Sequence, residues 1–430
     1  MKWSQFNFIF KSEKYGPLLY NSYSNIFISL TEEDHEIIIK SIKDNDMSNF
    51  NKRPNLAINF LRSKVLIEDH VDQIKELRLR QEITKFSNLP LSLTIAPTTE
   101  CNFECTYCYE ESRLPIYMED KTEDALIDFI KSYGKIPYLY ITWYGGEPLM
   151  AFDRIESITK RILDEKIPLY ASIVTNGYLL DKNIISKLKQ NRIRKIQITV
   201  DGLEKQHNTT RPLIGGGDTF NKILQNIDTL LKDWDGKLSI RVNISKNNDK
   251  DYHKIYKFLH DNYKDYDNFH VYPGIVQNVN ACSSVGSCAF DRDHMSNFLI
   301  DQYQKHKIKD VQLFPTYNSG VCIANNLRGY VLGPEGNLFK CWNDIGRKEM
   351  IVGNIFKRTG WNNTLLAEYM CGLSPFEDDD CKKCKLLPIC MGGCLSVALK
   401  HKNGQKNIDK CSFFKGIIKE FLEITYSMKK

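Results

Sequence analysis

Three cysteines stand at positions 101, 105 and 108 in the stretch TTECNFECTYCYE, and no fourth ligand follows nearby. Thiolates at such short intervals bind soft metals, and a structural zinc site uses a closed set of four ligands. Three leave one coordination position open, which is what a metal centre needs if a molecule from outside is to bind it. The C-terminal third carries a denser set. Cys322 is followed by thirteen residues, Gly336, four residues and Cys341; then come Cys381-x2-Cys384-x5-Cys390-x3-Cys394 and, sixteen residues on, Cys411. Cys371 lies in the gap, and Cys282 and Cys288 complete the chain's 13 cysteines.

Composition limits what these thiols do. A chain of 430 residues, 42% hydrophobic and 26% charged, describes a water-soluble protein of two or three domains. The start MKWSQFNFIF lacks the apolar run of a signal peptide, and no stretch approaches the roughly 18 apolar residues of a membrane span. We therefore expect a cytoplasmic protein, where thiols stay reduced and cysteines serve as metal ligands rather than disulfides. The net charge is +6, but lysines and arginines are interspersed with acids, so neither nucleic acid nor membrane is expected as a partner.

Six β-rich runs, 91–97, 138–146, 169–177, 195–202, 237–245 and 269–277, alternate with helical patterns at 123–133, 152–165, 182–190, 220–234 and 252–263. Strands separated by crossover helices predict an α/β fold with a parallel sheet of six β/α units. In such sheets the chemistry sits at the C-terminal strand ends. The cysteine loop follows the first run, Gly145-Gly146-Glu147-Pro148 the second, Thr175-Asn176-Gly177 the third and Asp201-Gly202 the fourth. Taken singly, glycines close turns and Asn or Asp caps helices. Their joint placement on one rim favours a functional reading.

Cys101, Cys105 and Cys108, with Tyr107 before the last of them, resemble the C-x3-C-x2-C hallmark of the radical S-adenosylmethionine (radical SAM) superfamily. The resemblance implies a partial (β/α)6 TIM-like barrel, in agreement with the strand count, and a [4Fe–4S] cluster whose open iron is chelated by S-adenosyl-L-methionine. It further implies cofactor contacts from the Gly145, Gly146 and Glu147 motif, from Thr175, Asn176, Thr199 and Asp201, and from Arg211 and Asn243. The C-terminal cysteines resemble the SPASM extension at all seven positions. That implies two auxiliary [4Fe–4S] clusters, three in all, whose thiolates would offset the positive net charge. By the same resemblance Cys381, Cys384, Cys390 and Cys411 hold the distal cluster. Cys322, Cys341 and Cys394 hold the nearer one, with Cys371 expected as its fourth ligand. Cys282 and Cys288, in the loop after the sixth strand, are expected to be inert thiols, although that loop lies near the barrel mouth.

The first ninety residues show two short strand-like runs, PLLYNS and NIFISLT, and helical patterns around EEDHEIIIKSIK, NLAINFLRSKV and VDQIKELRLRQEITKF. This layout resembles the winged-helix-like RiPP recognition element, which takes a precursor's leader peptide as an added β-strand. The domains are then 1–88, 89–310 and 311–430. The combined resemblance implies a peptide maturase. An electron from a flavodoxin or ferredoxin yields a 5′-deoxyadenosyl radical, hydrogen is taken from the precursor peptide, and a thioether or carbon–carbon cross-link forms with net two-electron oxidation. An anaerobic sulfatase-maturing enzyme, which forms formylglycine, is the alternative. In those enzymes an aspartate proposed as base directly follows the cysteine corresponding to Cys341; here Trp342 and Asn343 intervene before Asp344, which favours the cross-linking reading. A third reading, from another class, makes the C-terminal cysteines zinc knuckles of a binding protein with a catalytically dead barrel.

Overall fold

The computed structural model describes residues 1–87, 90–108, 114–276, 290–311, 313, 315–357, 359–405 and 408–429. Cys282 and Cys288 lie outside the described residues. The N-terminal unit opens with β1 (Lys2–Trp3), which pairs with β5 (Leu66–Ile67). Between them an antiparallel meander runs through β2 (Asn7–Ser12), β3 (Gly16–Asn21) and β4 (Ile26–Ser29), followed by α1 (Glu32–Asp44) and α2 (Pro54–Arg62). The Thr31 hydroxyl caps α1 by accepting from the Asp34 N–H at 3.0 Å. Leu19, Ile38, Phe50, Phe60 and Leu66 give this unit its own core. The strand β2 was not expected, because NFIFKS has no in-and-out alternation to read.

From this unit α3 (Gln73–Phe86) leads to the barrel, its first turn capped by Asp72. Leu77 of α3 packs with Phe6, Tyr23, Phe376, Leu387 and Met391, so the N-terminal unit is welded to the C-terminal cysteine segment. Ser22 Oγ donates to the Lys385 carbonyl at 2.5 Å and Gln81 Nε2 to the Gly320 carbonyl at 3.0 Å across the same seam.

The barrel strands are β6 (Leu91–Ile95), β7 (Leu139–Trp143), β8 (Leu169–Thr175), β9 (Ile193–Thr199), β10 (Lys237–Ile244) and β11 (Phe269–Ile275), all parallel and adjacent in chain order. Between them run α4 (Asp120–Lys131), α5 (Phe152–Asp164), α6 (Lys182–Lys187), α7 (Glu204–Thr210), α8 (Phe220–Asp233) and α9 (Tyr252–Tyr263). The helices form where apolar residues recur at helical spacing. In α5, Phe152, Ile155, Ile158 and Ile162 make one stripe, buried against outward residues such as Ile141 and Ile173 of the sheet. Each such side chain contributes about 1.5–3 kcal/mol by leaving water. The α7 segment was not foreseen, because EKQHNTT is polar throughout and buries only His207.

After α10 (Arg292–Gln304), β12 (Gly329–Leu332) pairs parallel with β6, and β13 (Asn337–Phe339) and β14 (Gly353–Asn354) extend the sheet antiparallel. The C-terminal unit thus continues the barrel's own sheet past its first strand. Its cysteines lie on short turns and helices, and α11 (Asn363–Ala367), α12 (Asp379–Lys383), α13 (Leu387–Cys390), α14 (Leu395–Lys402) and α15 (Ile418–Lys429) complete the chain. Tyr426 of α15 returns to the N-terminal meander, its ring 5.1 Å from Tyr15 and 5.8 Å from Phe27. Among the described residues no helix is long and apolar enough to cross a membrane.

Candidate active site

The cysteine loop after β6 is held by backbone on two sides. Thr106 N–H donates to the Thr210 carbonyl at 3.0 Å, Glu104 N–H to Pro212 at 2.9 Å, and Ile214 N–H to Asn102 at 2.9 Å, forming a ladder with the end of α7 and the segment that follows it. On the other side Gly146 N–H donates to Thr98 and Glu147 N–H to Glu100 at 2.8 Å. This crossing explains both glycines. A Cβ on Gly145, whose φ is +122°, would lie 2.3 Å from the Thr98 carbonyl oxygen, and one on Gly146 would lie 2.2 Å from that of Glu100. The close approach they permit is that of the cysteine loop's own backbone.

Cys101, Cys105 and Cys108 border a cavity of about 250 Å³ at the rim of the sheet. Gly145, Gly146, Thr175, Asn176, Thr199, Arg211 and Asn243 line it with them. Glu147 does not line it. Its buried carboxylate faces the strand ends, accepting from the Thr175 hydroxyl at 2.6 Å, the Asn176 N–H at 2.7 Å and the Leu149 N–H at 3.0 Å. It thereby ties the end of β7 to the end of β8. Burial raises its pKa, against the pull of those three donors.

Asp201 lies behind the cavity wall, beside a second hollow of about 290 Å³. Tyr107 joins it to the rim: its hydroxyl donates to Asp201, and accepts from Arg211 Nη1 at 2.6 Å and from Asn243 Nδ2 at 3.0 Å. Burial works against the Arg211 charge, yet Cys105, Tyr107 and Asp201 hold its pKa above the ordinary arginine value. Burial pushes the Tyr107 phenol well up, so it stays a neutral hydrogen-bond relay. Burial, with Glu147 and Cys105 nearby, raises the Cys101 thiol to about 12, so any metal bound there would have to displace a proton.

Several cavity residues had no motif to announce them. Gln197 and Arg241 sit two residues before Thr199 and Asn243, and the two-residue strand period would have found them. Trp342 and Asn343, directly after Cys341, form another wall, with the Trp342 ring stacked 5.8 Å from Tyr144.

The C-terminal cysteines fall into two groups. Cys381, Cys384, Cys390 and Cys411 surround one cavity of about 60 Å³, with Lys410 and Lys415 at its edge. Asp378 accepts from the Cys381 N–H at 2.9 Å and pairs with Lys410, drawing the two halves of that set together. Burial raises the thiols of Cys322 and Cys341, the latter to about 12, and Cys394 lies close enough to both to add to the rise. Cys371 lies on the turn Glu368–Gly372, which packs against Ile323–Asn325, the turn that follows Cys322.

Residues 95–259 match the radical SAM superfamily. The barrel is a radical SAM domain. That family implies a [4Fe–4S] cluster and S-adenosylmethionine. A cysteine-type anaerobic sulfatase-maturating enzyme of Clostridium perfringens strain 13 is 23% identical over 347 residues, 71% of this chain and 89% of that one. The radical SAM cyclopropyl synthase TigE of Paramaledivibacter caminithermalis is 23% identical over 367 residues, 77% of this chain and 74% of that one. Among solved structures, native anSMEcpe with bound AdoMet and Cp18Cys peptide superposes with a TM-score of 0.61 at 20% identity, covering 79% of this chain and 98% of that one. Streptococcus suis SuiB bound to the precursor peptide SuiA gives 0.55 at 17% identity, covering 96% and 99%. The fold is shared with both, and the family match lies within the barrel.

Proposed function

We propose that the protein is a radical SAM peptide maturase that installs an intramolecular cross-link, thioether or carbon–carbon, in a ribosomally made precursor. The environment after Cys341 carries this reading. Where a sulfatase maturase would hold its basic aspartate, Trp342 stacks on Tyr144 at the cavity. The Asp344 carboxylate is buried outside the cavity lining, accepts from the Tyr369 hydroxyl at 2.7 Å, and has its pKa raised by burial. A base must come within hydrogen-bond reach of the proton it takes, and this carboxylate is committed elsewhere.

Among the described residues no three Cys, His, Asp or Glu side chains are gathered tightly enough to hold a single metal ion, while the thiol donors and the cavities they border suit the larger clusters this reading needs. Cys101, Cys105 and Cys108 would hold a [4Fe–4S] cluster with one iron open to S-adenosylmethionine, whose polar groups Asn176, Thr199 and Arg211 would border. Cys381, Cys384, Cys390 and Cys411 would hold a closed auxiliary cluster, and Cys322, Cys341, Cys394 and Cys371 another. When bound, these groups supply reductive cleavage of the sulfonium to a 5′-deoxyadenosyl radical, with an electron from a flavodoxin or ferredoxin, and an acceptor for the substrate's second electron. The chain's own task is positioning. Glu147 fixes two strand ends, the Tyr107 relay fixes Arg211 and Asn243, and the stacked Trp342 and Tyr144 wall the cavity.

The N-terminal unit supports a peptide substrate. Its strand order β2-β3-β4 leaves β4 as an edge to which an extended leader can add. The likeness to SuiB covers 96% of this chain, against 79% for the sulfatase-maturase structure. The sulfatase reading keeps its own support in the 89% coverage of the Clostridium enzyme. Coexpression with a small leader-bearing peptide, should one be encoded beside the gene, followed by mass spectrometry, tests the choice. Loss of two hydrogens with no new carbonyl is expected; an aldehyde formed from Cys or Ser would overturn the reading in favour of formylglycine.

A further inference from the structure

Alternate residues of the six parallel strands face into the barrel, away from the helical layer. From Ser92 on β6 to Tyr272 on β11, this inner face has no aspartate or glutamate. Its fixed charges are Lys195, Lys237 and Arg241. Among the described residues none of the three pairs with a carboxylate, whereas Arg194, next to Lys195, pairs with Asp235 at 3.3 Å. Lys195 and Lys237 are also direct neighbours in the β9–β10 register, an arrangement that costs free energy until an anion lies against it.

The same face is open. Tyr140 is 45% and Tyr170 52% exposed, with rings 5.6 Å apart on adjacent strands, and both touch Tyr138. A cavity of about 460 Å³ beside His270 and Tyr272 shares Ile275 with the cysteine cavity, and the Tyr272 hydroxyl donates to Gln197 at 2.5 Å where the two meet. Asp310, the carboxylate at that second cavity's rim, is engaged by Tyr256. The Arg241 side chain lies over Gly274, where a Cβ would come within 2.2 Å of its Nε. From Lys237 to Arg241 the strand rises about 13 Å, the reach of four extended residues.

We propose that this inner wall binds an acidic segment of the substrate peptide, one carboxylate meeting Arg241 beside the cavity and another meeting Lys195 and Lys237 at the far end. It rests on the maturase reading only in taking the occupant to be a peptide. The carboxylate of the cofactor is the other source of the same chemistry for Arg241.

The test uses the full-length reconstituted protein under anaerobic conditions, with fluorescein-labelled peptides that alternate glycine with glutamate or with glutamine. The acidic probe should bind about tenfold more tightly at low salt. That preference should vanish in K195Q/K237Q/R241Q and persist in K40Q/K232Q/K419Q, which removes the same charge from exposed lysines elsewhere. No preference in the wild type, or a preference that survives the wall variant, overturns the proposal. Equilibrium dialysis of S-adenosylmethionine against R241Q separates the sources. Unchanged affinity assigns the Arg241 carboxylate to the peptide, and a tenfold loss would assign it to the cofactor and overturn that part. Because the readout is binding, acid preference without any turnover would sink the maturase reading alone, and turnover without acid preference would sink this one alone.

Discussion

Cys101, Cys105 and Cys108 stand at the edge of a cavity of about 250 Å³, whereas Cys381, Cys384, Cys390 and Cys411 close around about 60 Å³. The first set is stapled by backbone ladders to two other loops and shares its wall with hydroxyls, amides and an arginine. The second is drawn together by the Asp378–Lys410 pair, with leucines filling the remaining space. A donor set that leaves a coordination position free needs surroundings rigid enough to keep it free and polar enough to receive what binds there. A complete set needs only to be closed.

The largest effects should come from removing thiols, and they should differ in kind. Replacing all three of Cys101, Cys105 and Cys108 by alanine should lower anaerobically reconstituted iron from about twelve to about eight per chain and abolish 5′-deoxyadenosine release. Cys384→Ala should also lose about four irons but keep measurable cofactor cleavage while product formation stops. Equal loss of cleavage in both variants would break the comparison. Zinc without acid-labile sulfide in the wild type would replace it with the zinc-binding reading.

Next is the close crossing at the open site. Gly146→Ala would drive a methyl to 2.2 Å from the Glu100 carbonyl oxygen, a backbone atom with little freedom to move. We expect about 3 kcal/mol of destabilisation, concentrated in the cysteine loop. The measurement is differential: iron bound at the barrel site should fall while the C-terminal sites, tied to a different seam, reconstitute normally. Uniform loss at all sites would mean that the loop is not an independent weak point.

A smaller effect belongs to the layer behind the wall of the open site. His207 is fully buried, with its Nδ1 accepting from the Asp201 N–H at 3.3 Å, and burial with Arg211 nearby depresses its pKa to about 3. Because the unfolded chain binds this proton near pH 6.5 and the folded one does not, the stability is complete above that pH and declines as acid is added towards 3. At pH 5 the loss from this group is about 2 kcal/mol. His207→Gln keeps an acceptor for Asp201, so its urea midpoint should fall less than the wild type's between pH 7.5 and pH 5. Parallel pH profiles would remove His207 from the account.

The contrast between the two sites also shows how much was legible. Strand and helix positions follow from periodicity, a local property, while the cysteine groupings are implied by a family resemblance: Leu139–Trp143 and Phe152–Asp164 lie where alternation and helical stripes place them. What was not legible depends on distant pairs. Nothing in GYVL announces that β12 joins β6, and nothing in EKQHNTT announces α7. Glu147 read as a ligand contact because its glycines are a motif, but only the meeting of β7 and β8 shows its carboxylate spent on Thr175, Leu149 and Asn176. Tyr107 as a relay needs Asp201, Arg211 and Asn243 from three further segments.

The smallest expected effect carries the sharpest distinction between the two enzymatic readings. Asp344 accepts from Tyr369, and its other oxygen lies 3.6 Å from the half-exposed Arg347 guanidinium. An asparagine keeps a carbonyl oxygen for Tyr369 and forfeits only a loose ion pair, so Asp344→Asn should cost about 0–1 kcal/mol in stability. If the side chain has no part in the chemistry, turnover of the coexpressed peptide should change by less than about twofold, and its pH dependence should not move. A base lost from a mechanism that oxidises a thiol or an alcohol to an aldehyde would instead cost about a hundredfold or more. That outcome would require the turn Trp342–Asp344 to rearrange during the reaction, swinging a carboxylate now bonded to Tyr369 past Trp342 and into the cavity, and would return the chain to the sulfatase-maturing reading.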